Sequence, residues 1–274
     1  MPDLTHWKIL SGVEARDVVL AVDFPITGRP ESSFADLAPR LESDYAFWQT
    51  VPPSVSPGRM GGGDYVDEWA SEVAESGLTV RAVLGFCVGS VYGAALADRL
   101  GSWQGKAPAL ILFDPEQATV STLHWQFEKI LRNMTEILRA EELAALRARA
   151  EELAQDRQRD VEQFTTELFN SFLPIGQEAL SRSGLDAERT DEMLGIFGSL
   201  LSYLSSAARL DSASAWRRAT GISSASPESG LNPHRSSRGA KSDAVSAEIR
   251  FELGHAELLG SAEVAEAIVK LLRN

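Results

Sequence analysis

The chain has 274 residues, a formal net charge of −13 and one cysteine, Cys87. That length buries a full hydrophobic core, as one large domain or as a domain with an insertion. The acidic balance disfavours nucleic acid and anionic membrane surfaces as partners, and a lone cysteine excludes an intramolecular disulfide and fits a reducing, cytoplasmic compartment. No run of about 18 apolar residues predicts a membrane span. The first twelve residues, with Asp3, His6 and Lys8, lack the apolar centre of a signal peptide.

Residues 18–22, Val-Val-Leu-Ala-Val, form a continuous apolar run short enough for a strand buried on both faces. Asp23-Phe24-Pro25-Ile26-Thr27-Gly28 follows as a loop. Residues 33–41 predict a short helix with Ser32 or Ser33 as N-cap, and the aromatic stretch 45–50 predicts a strand. Residues 52–63 are loop-like. Asp64 is placed to cap a helix over 65–76 that Gly77 ends. The apolar run 78–84 predicts a strand, and the small residues of 91–100 a helix. Residues 108–113 predict the next strand, which stops at Asp114-Pro115. Strands alternating with helical patterns imply a parallel sheet with crossovers.

Between residues 118 and 218 no strand pattern appears. Residues 139–172 are rich in Ala, Leu, Glu and Arg, with opposite charges at helical-turn spacing. Pro174-Ile175-Gly176 is expected to break that helix, and residues 191–210 predict another. An insertion of this size within a sheet protein reads as a lid; a separate helical domain or a pairing arm is the structural alternative. Pro174 and Gly184 argue against a long coiled coil. Residues 220–224 predict a short strand, and 226–242, rich in Ser, Pro, Gly and Arg, a mobile surface loop. Residues 247–253 alternate as an edge strand with Gly254-His255 at its C-terminal end, and 261–272 close the chain as a helix. The expected organisation is an α/β core of 1–117 and 219–274 around a helical insertion of 118–218.

The chemistry centres on Gly85-Phe86-Cys87-Val88-Gly89. Strand, tight turn and helix, with a nucleophilic side chain between two glycines, is the pattern of a nucleophile elbow. The turn lifts the side chain clear of the sheet. The helix N-terminus beneath it presents free N–H groups to a developing oxyanion. A buried cysteine beside two helix-packing glycines is the structural alternative. In an open parallel sheet the functional groups gather beyond the C-terminal strand ends. Cys87, Asp114, His255 and the Pro25-Ile26 loop all fall at such ends. A thiol needs a base, which His255 supplies, and the imidazole needs an acceptor on its other nitrogen, which Asp114 supplies. The N–H groups of Val88 and Ile26 would form the oxyanion hole. His6, His124 and His234 compete with His255, and Glu228 competes with Asp114, which could instead cap a turn. Asp23 reads as a turn residue. Gly61-Gly62-Gly63 lacks the following Lys-Ser/Thr of a phosphate cradle. No metal or bound cofactor is expected.

These residues carry a resemblance. The chain is similar to the thioesterase domains of non-ribosomal peptide and polyketide synthesis, within the α/β-hydrolase fold. The matching pieces are residues 18–28, 65–100 around Cys87, 109–114, and 251–272 with Gly254-His255-Ala256-Glu257-Leu258-Leu259. The resemblance implies a mostly parallel sheet flanked by helices, with a helical lid. It implies Asp114 as the acid and Ile26 as the first oxyanion donor, while related discrete enzymes keep Glu228 in play. It implies an acyl or peptidyl carrier protein as partner, a small acyl substrate on a phosphopantetheine arm, and an acyl-enzyme released to water or to an acceptor. Cys87 departs from the usual serine. That departure makes transfer between carrier proteins an alternative to release. Esterase or lactonase chemistry would use the same three residues, and a non-catalytic scaffold would use none of them. An activated Cys87 is expected to alkylate faster than an ordinary thiol at mildly acidic pH. Arg132, Arg139, Arg147 and Arg149 are the expected local face for an acidic carrier.

Overall fold

The structure, a computed structural model, describes residues 4–12, 14–25, 31–41, 44–156, 158–233, 235 and 244–273. The chain divides into two compact units. The first comprises Met1–Val51, Gly63–Glu116 and Leu210–Asn274, and the second Pro52–Gly62 and Gln117–Arg209.

The first unit holds a seven-stranded sheet of β1 (Trp7–Ser11), β2 (Asp17–Val22), β3 (Ala46–Thr50), β4 (Thr79–Phe86), β5 (Ala109–Phe113), β6 (Thr220–Ser223) and β7 (Ala247–Arg250). Their order is β1-β3-β2-β4-β5-β6-β7. Only the β1–β3 pair is antiparallel. The continuous apolar run of β2 is explained by burial on both faces: Val18 to Val22 are all 0% exposed. Helices α1 (Phe34–Leu37), α2 (Gly62–Ser76) and α3 (Gly89–Gln104) lie between the early strands in sequence. Alternate residues of β4 point to opposite sides. Ala82, Leu84 and Phe86 join one core cluster with Phe34, Phe113, Leu258 and Ile268, and the site of a Cβ on Gly93 of α3 is 3.5 Å from Val83. Trp7, Trp48, Trp69, Tyr65 and Tyr92 form a separate aromatic cluster with ring centroids 5.5–6.5 Å apart.

The second unit is helical. It contains α4 (Val120–Asn133), α5 (Ala140–Gln155), α6 (Val161–Arg182) and α7 (Ala187–Ala207). Its core is aromatic: Phe172 lies edge-on to Phe197 at 4.5 Å, and Phe127 lies edge-on to Phe172 at 6.2 Å. The expected break at Pro174 does not occur, and α6 runs through it. Proline in a helix interior costs about 3 kcal/mol. Here the buried stripe Phe164, Leu168, Phe172, Ala179 and Leu180 continues on both sides of Pro174, and that packing outweighs the loss. The arginines expected to face a carrier are engaged inside this unit. Arg147 pairs with Glu128 at 3.1 Å, Arg149 with Glu152 at 2.8 Å and Glu167 at 3.1 Å, and Arg139 with Glu142 and Glu178 at 3.8 Å. Arg132 Nε donates to the Glu128 carbonyl.

After the helical unit the chain returns through α8 (Ala213–Trp216) to β6, and after β7 it forms a six-residue 3₁₀ helix, His255–Gly260, and α9 (Ala262–Leu272). Other elements also differ from the sequence reading. β1 is an additional strand. α2 begins at Gly62, so Asp64 lies in its first turn and is not its cap. The edge strand expected over 247–253 ends at Arg250.

Candidate active site

β4 ends at Phe86 and α3 begins at Gly89, so Cys87 stands on the two-residue turn between them. Its φ is +52°, a left-handed conformation that costs a non-glycine residue of order 1–3 kcal/mol and persists only where its surroundings over-determine it. They do. The Cys87 N–H donates to the Phe113 carbonyl at 2.9 Å, and the Cys87 carbonyl accepts from Ser90 N–H at 3.0 Å and Glu116 N–H at 3.3 Å. Gly85 makes room for the turn: a Cβ there would sit 2.6 Å from the Ser90 Cα. The contact is with backbone, so no side chain can swing aside. Gly85→Ala is expected to destabilise the fold by about 1–3 kcal/mol. The urea midpoint measures this, and a wild-type midpoint would show that the elbow has slack.

Asp114, directly after β5, is fully buried and also has a positive φ, +40°. Its N–H donates to the Ile222 carbonyl at 2.8 Å, and its Oδ1 accepts from Ser224 N–H at 2.9 Å. Its Oδ2 lies 2.7 Å from His255 Nδ1. The imidazole also stacks on Phe86, the residue before Cys87, with centroids 4.8 Å apart and planes 18° from parallel. His255 N–H donates to Ser226 Oγ, and Asn232 Nδ2 donates to the Ser224 and Ser226 carbonyls. Gly230, at φ +58°, closes against Asp114, where a Cβ would come within 2.7 Å of the Asp114 Cα. Residues 226–232, expected as a mobile loop, are therefore the clamp that fixes both the acid and the histidine. Ser226 and Asn232 were not legible as positioning residues, because their partners lie on other elements.

The competing residues sit elsewhere. Glu228 is exposed, and the His255 imidazole pairs with Asp114. His6 pairs with Glu68 at 3.5 Å and His124 with Glu151 at 3.8 Å. Asp23 is buried at the end of β2, where Thr50 Oγ1 donates to its carbonyl at 2.9 Å. Ile26 and His234 lie outside the described residues. Among the described residues no group of three or more His, Cys, Asp or Glu is arranged to hold a metal, and no helix is long and apolar enough to cross a membrane.

The thiol itself departs from expectation. Cys87 Sγ donates to Glu116 Oε2 at 3.2 Å and not to His255. Burial, foremost, and then the Glu116 carboxylate push the Cys87 thiol well above its usual range; Asp23 adds to this and the Val88 N–H opposes it. Burial, foremost, and the Glu116 carboxylate both disfavour the thiolate, which runs against the expectation of fast alkylation at mildly acidic pH. Glu116 follows Asp114 by two residues, and the turn out of β5 carries it onto the elbow. Since Cys87 is the only cysteine, bulk alkylation reads this site alone. Its rate is expected to rise only at more alkaline pH than for a free thiol. Glu116→Gln removes the anion that opposes ionisation, so its profile should move to lower pH. An unmoved profile in that variant would show that Glu116 does not control the thiol.

The fold that carries the β4–α3 elbow recurs in solved structures. The NocB thioesterase domain from the nocardicin cluster matches with a TM-score of 0.52 at 15% identity, over 99% of this chain and 100% of that one. Its covalent complex with a fluorophosphonate nocardicin G analog matches at 0.51 and 14% identity, over 96% of each chain. A carboxylesterase of the ammonia-oxidizing Thaumarchaeon Nitrososphaera gargenis matches at 0.55 and 10% identity, over 98% of this chain and 93% of that one. The fold is that of the α/β-hydrolases. At these identities the likeness is one of architecture. No protein-family model matches the sequence, and no curated protein does.

Proposed function

We propose that this chain is a thioesterase-like enzyme. It takes an acyl group, aminoacyl, peptidyl or polyketide, from a carrier-protein thioester onto Cys87 and releases it to water or to an acceptor nucleophile. The observation that carries this reading is the 2.7 Å contact between His255 Nδ1 and the buried Asp114 carboxylate, on an imidazole stacked against the residue that precedes a strained elbow cysteine. A donated Nδ1–H leaves Nε2 as the base. The neutral resting thiol favours a general-base route over a preformed thiolate. As Sγ forms its bond to the thioester carbon, His255 Nε2 takes the proton. The carbonyl oxygen becomes an oxyanion held by the Val88 N–H, with Ile26 as the second donor. Collapse breaks the bond to the phosphopantetheine sulfur, which leaves with the proton from His255. The acyl-enzyme is resolved by the same steps with water or another nucleophile. No cofactor is needed beyond the arm that presents the substrate.

The helical unit, inserted in sequence between β5 and β6, is assigned the role of lid. One reduced cysteine fits a cytoplasmic enzyme with neither nucleic acid nor membrane as partner. The test is intact-mass analysis after incubation with acyl-loaded carrier proteins. Wild type should gain the acyl mass, and Cys87→Ala should gain none while folding normally. Turnover of simple esters without any carrier-derived adduct would favour esterase or lactonase chemistry. Neither activity would favour a scaffold.

A further inference from the structure

Glu116 has no part in the Cys-His-Asp relay, yet its carboxylate is the group that accepts the nucleophile's hydrogen, at 3.2 Å. It is poorly suited to be the base. A carboxylic acid ionises near pH 4 and a thiol near 8.5, and burial beside Glu116 widens that gap. Proton transfer to imidazole is far better matched. The reaction also changes what Glu116 sees. Once Cys87 is acylated its sulfur carries no hydrogen, and the oxygen that accepted from S–H now faces the acyl group.

We infer that Glu116 is a specificity residue: its carboxylate accepts a hydrogen bond from an amino group on the carbon next to the thioester carbonyl, so the site prefers α-aminoacyl groups. In the acyl-enzyme the order is sulfur, carbonyl carbon, α-carbon, nitrogen. The nitrogen is three bonds from Sγ and reaches the oxygen that previously accepted from it. An ammonium there makes a charge-assisted bond. A plain alkyl acyl group leaves the carboxylate oxygen without its former donor, and an acidic one is repelled. Asp23, whose charge also reaches the sulfur, adds to the preference for a cation.

This inference rests on the acyl-enzyme reading above. The test compares one carrier protein loaded with 2-aminobutyryl and with butyryl groups, which differ only in the amino group. The readout is the acylation rate of Cys87 by quenched intact-mass analysis. Wild type should react about tenfold to a hundredfold faster with the amino donor. Glu116→Gln should bring the ratio close to one by losing rate on the amino donor, and Glu116→Asp should retain a preference. Equal rates in wild type, or a preference that survives in Glu116→Gln, overturns the inference and leaves the acyl-enzyme reading standing. No adduct from either donor overturns both. If Glu116→Gln does not fold, the wild-type ratio and Glu116→Asp decide.

Discussion

Asp114→Asn is expected to lower the rate of Cys87 acylation by about 10⁴-fold, the loss that the same change causes in the Ser-His-Asp template. The expectation follows from how each oxygen is used. Oδ1 accepts from the Ser224 N–H, and Oδ2 faces His255 Nδ1. An asparagine can keep the first bond with its own oxygen. It then presents an NH₂ group to Nδ1, which must become an acceptor. The imidazole proton moves to Nε2, and the nitrogen that should take the thiol proton is already occupied. The variant is isosteric and keeps its anchor to Ser224, so the denaturation midpoint should change far less than the rate. Single-turnover acylation measures the effect. Glu228→Gln is the control, since Glu228 is exposed. If that control costs more rate than Asp114→Asn, the acid has been wrongly assigned.

Sequence patterns expose features that are local, and they miss those that arise when distant segments meet. The strands β2 and β5, and β4 from Ala82 onward, were legible because a parallel sheet covered on both faces demands apolar runs. The elbow was legible because the tight turn at Gly85 imposes residue type at fixed spacing. β1 was not, since Trp7 to Ser11 is a strand through its pairing with β3, some forty residues on. The run through Pro174 was hidden because a local rule was overruled by packing within the helical unit. Glu116 and the Ser224–Asn232 clamp were hidden for the same reason as β1. Glu116 meets Cys87 across a separation of 29 residues and Ser226 meets His255 across another 29, and neither contact leaves a periodic trace. Cys87, Asp114 and His255 could be singled out because strand-end position is a topological signal that survives without a structure.

On the proposed acyl-enzyme reading, the choice between release and transfer turns on the atom that carries the acyl group at position 87. Wild type is expected to pass its acyl group to the thiol of a second, empty carrier protein, and Cys87→Ser is expected to lose that transfer altogether. Exchange between the carrier thiol and Cys87 replaces one thioester by another, so it is nearly isoenergetic in both directions. With serine the acyl-enzyme is an oxygen ester. Forming it from a thioester is downhill, returning the group to a thiol is uphill, and water becomes the productive acceptor. The site should tolerate the change, because the Cys87 thiol donates to the Glu116 carboxylate and a serine hydroxyl can donate to the same group. The measurement uses a labelled donor carrier and an unlabelled acceptor, with label counted on the acceptor and as free acid. Label on the acceptor in wild type, and only as free acid in Cys87→Ser, supports transfer through the cysteine. Label that appears only as free acid in wild type would make this a hydrolase whose cysteine does a serine's task. Label that still reaches the acceptor in Cys87→Ala would mean that the acyl group never passes through position 87.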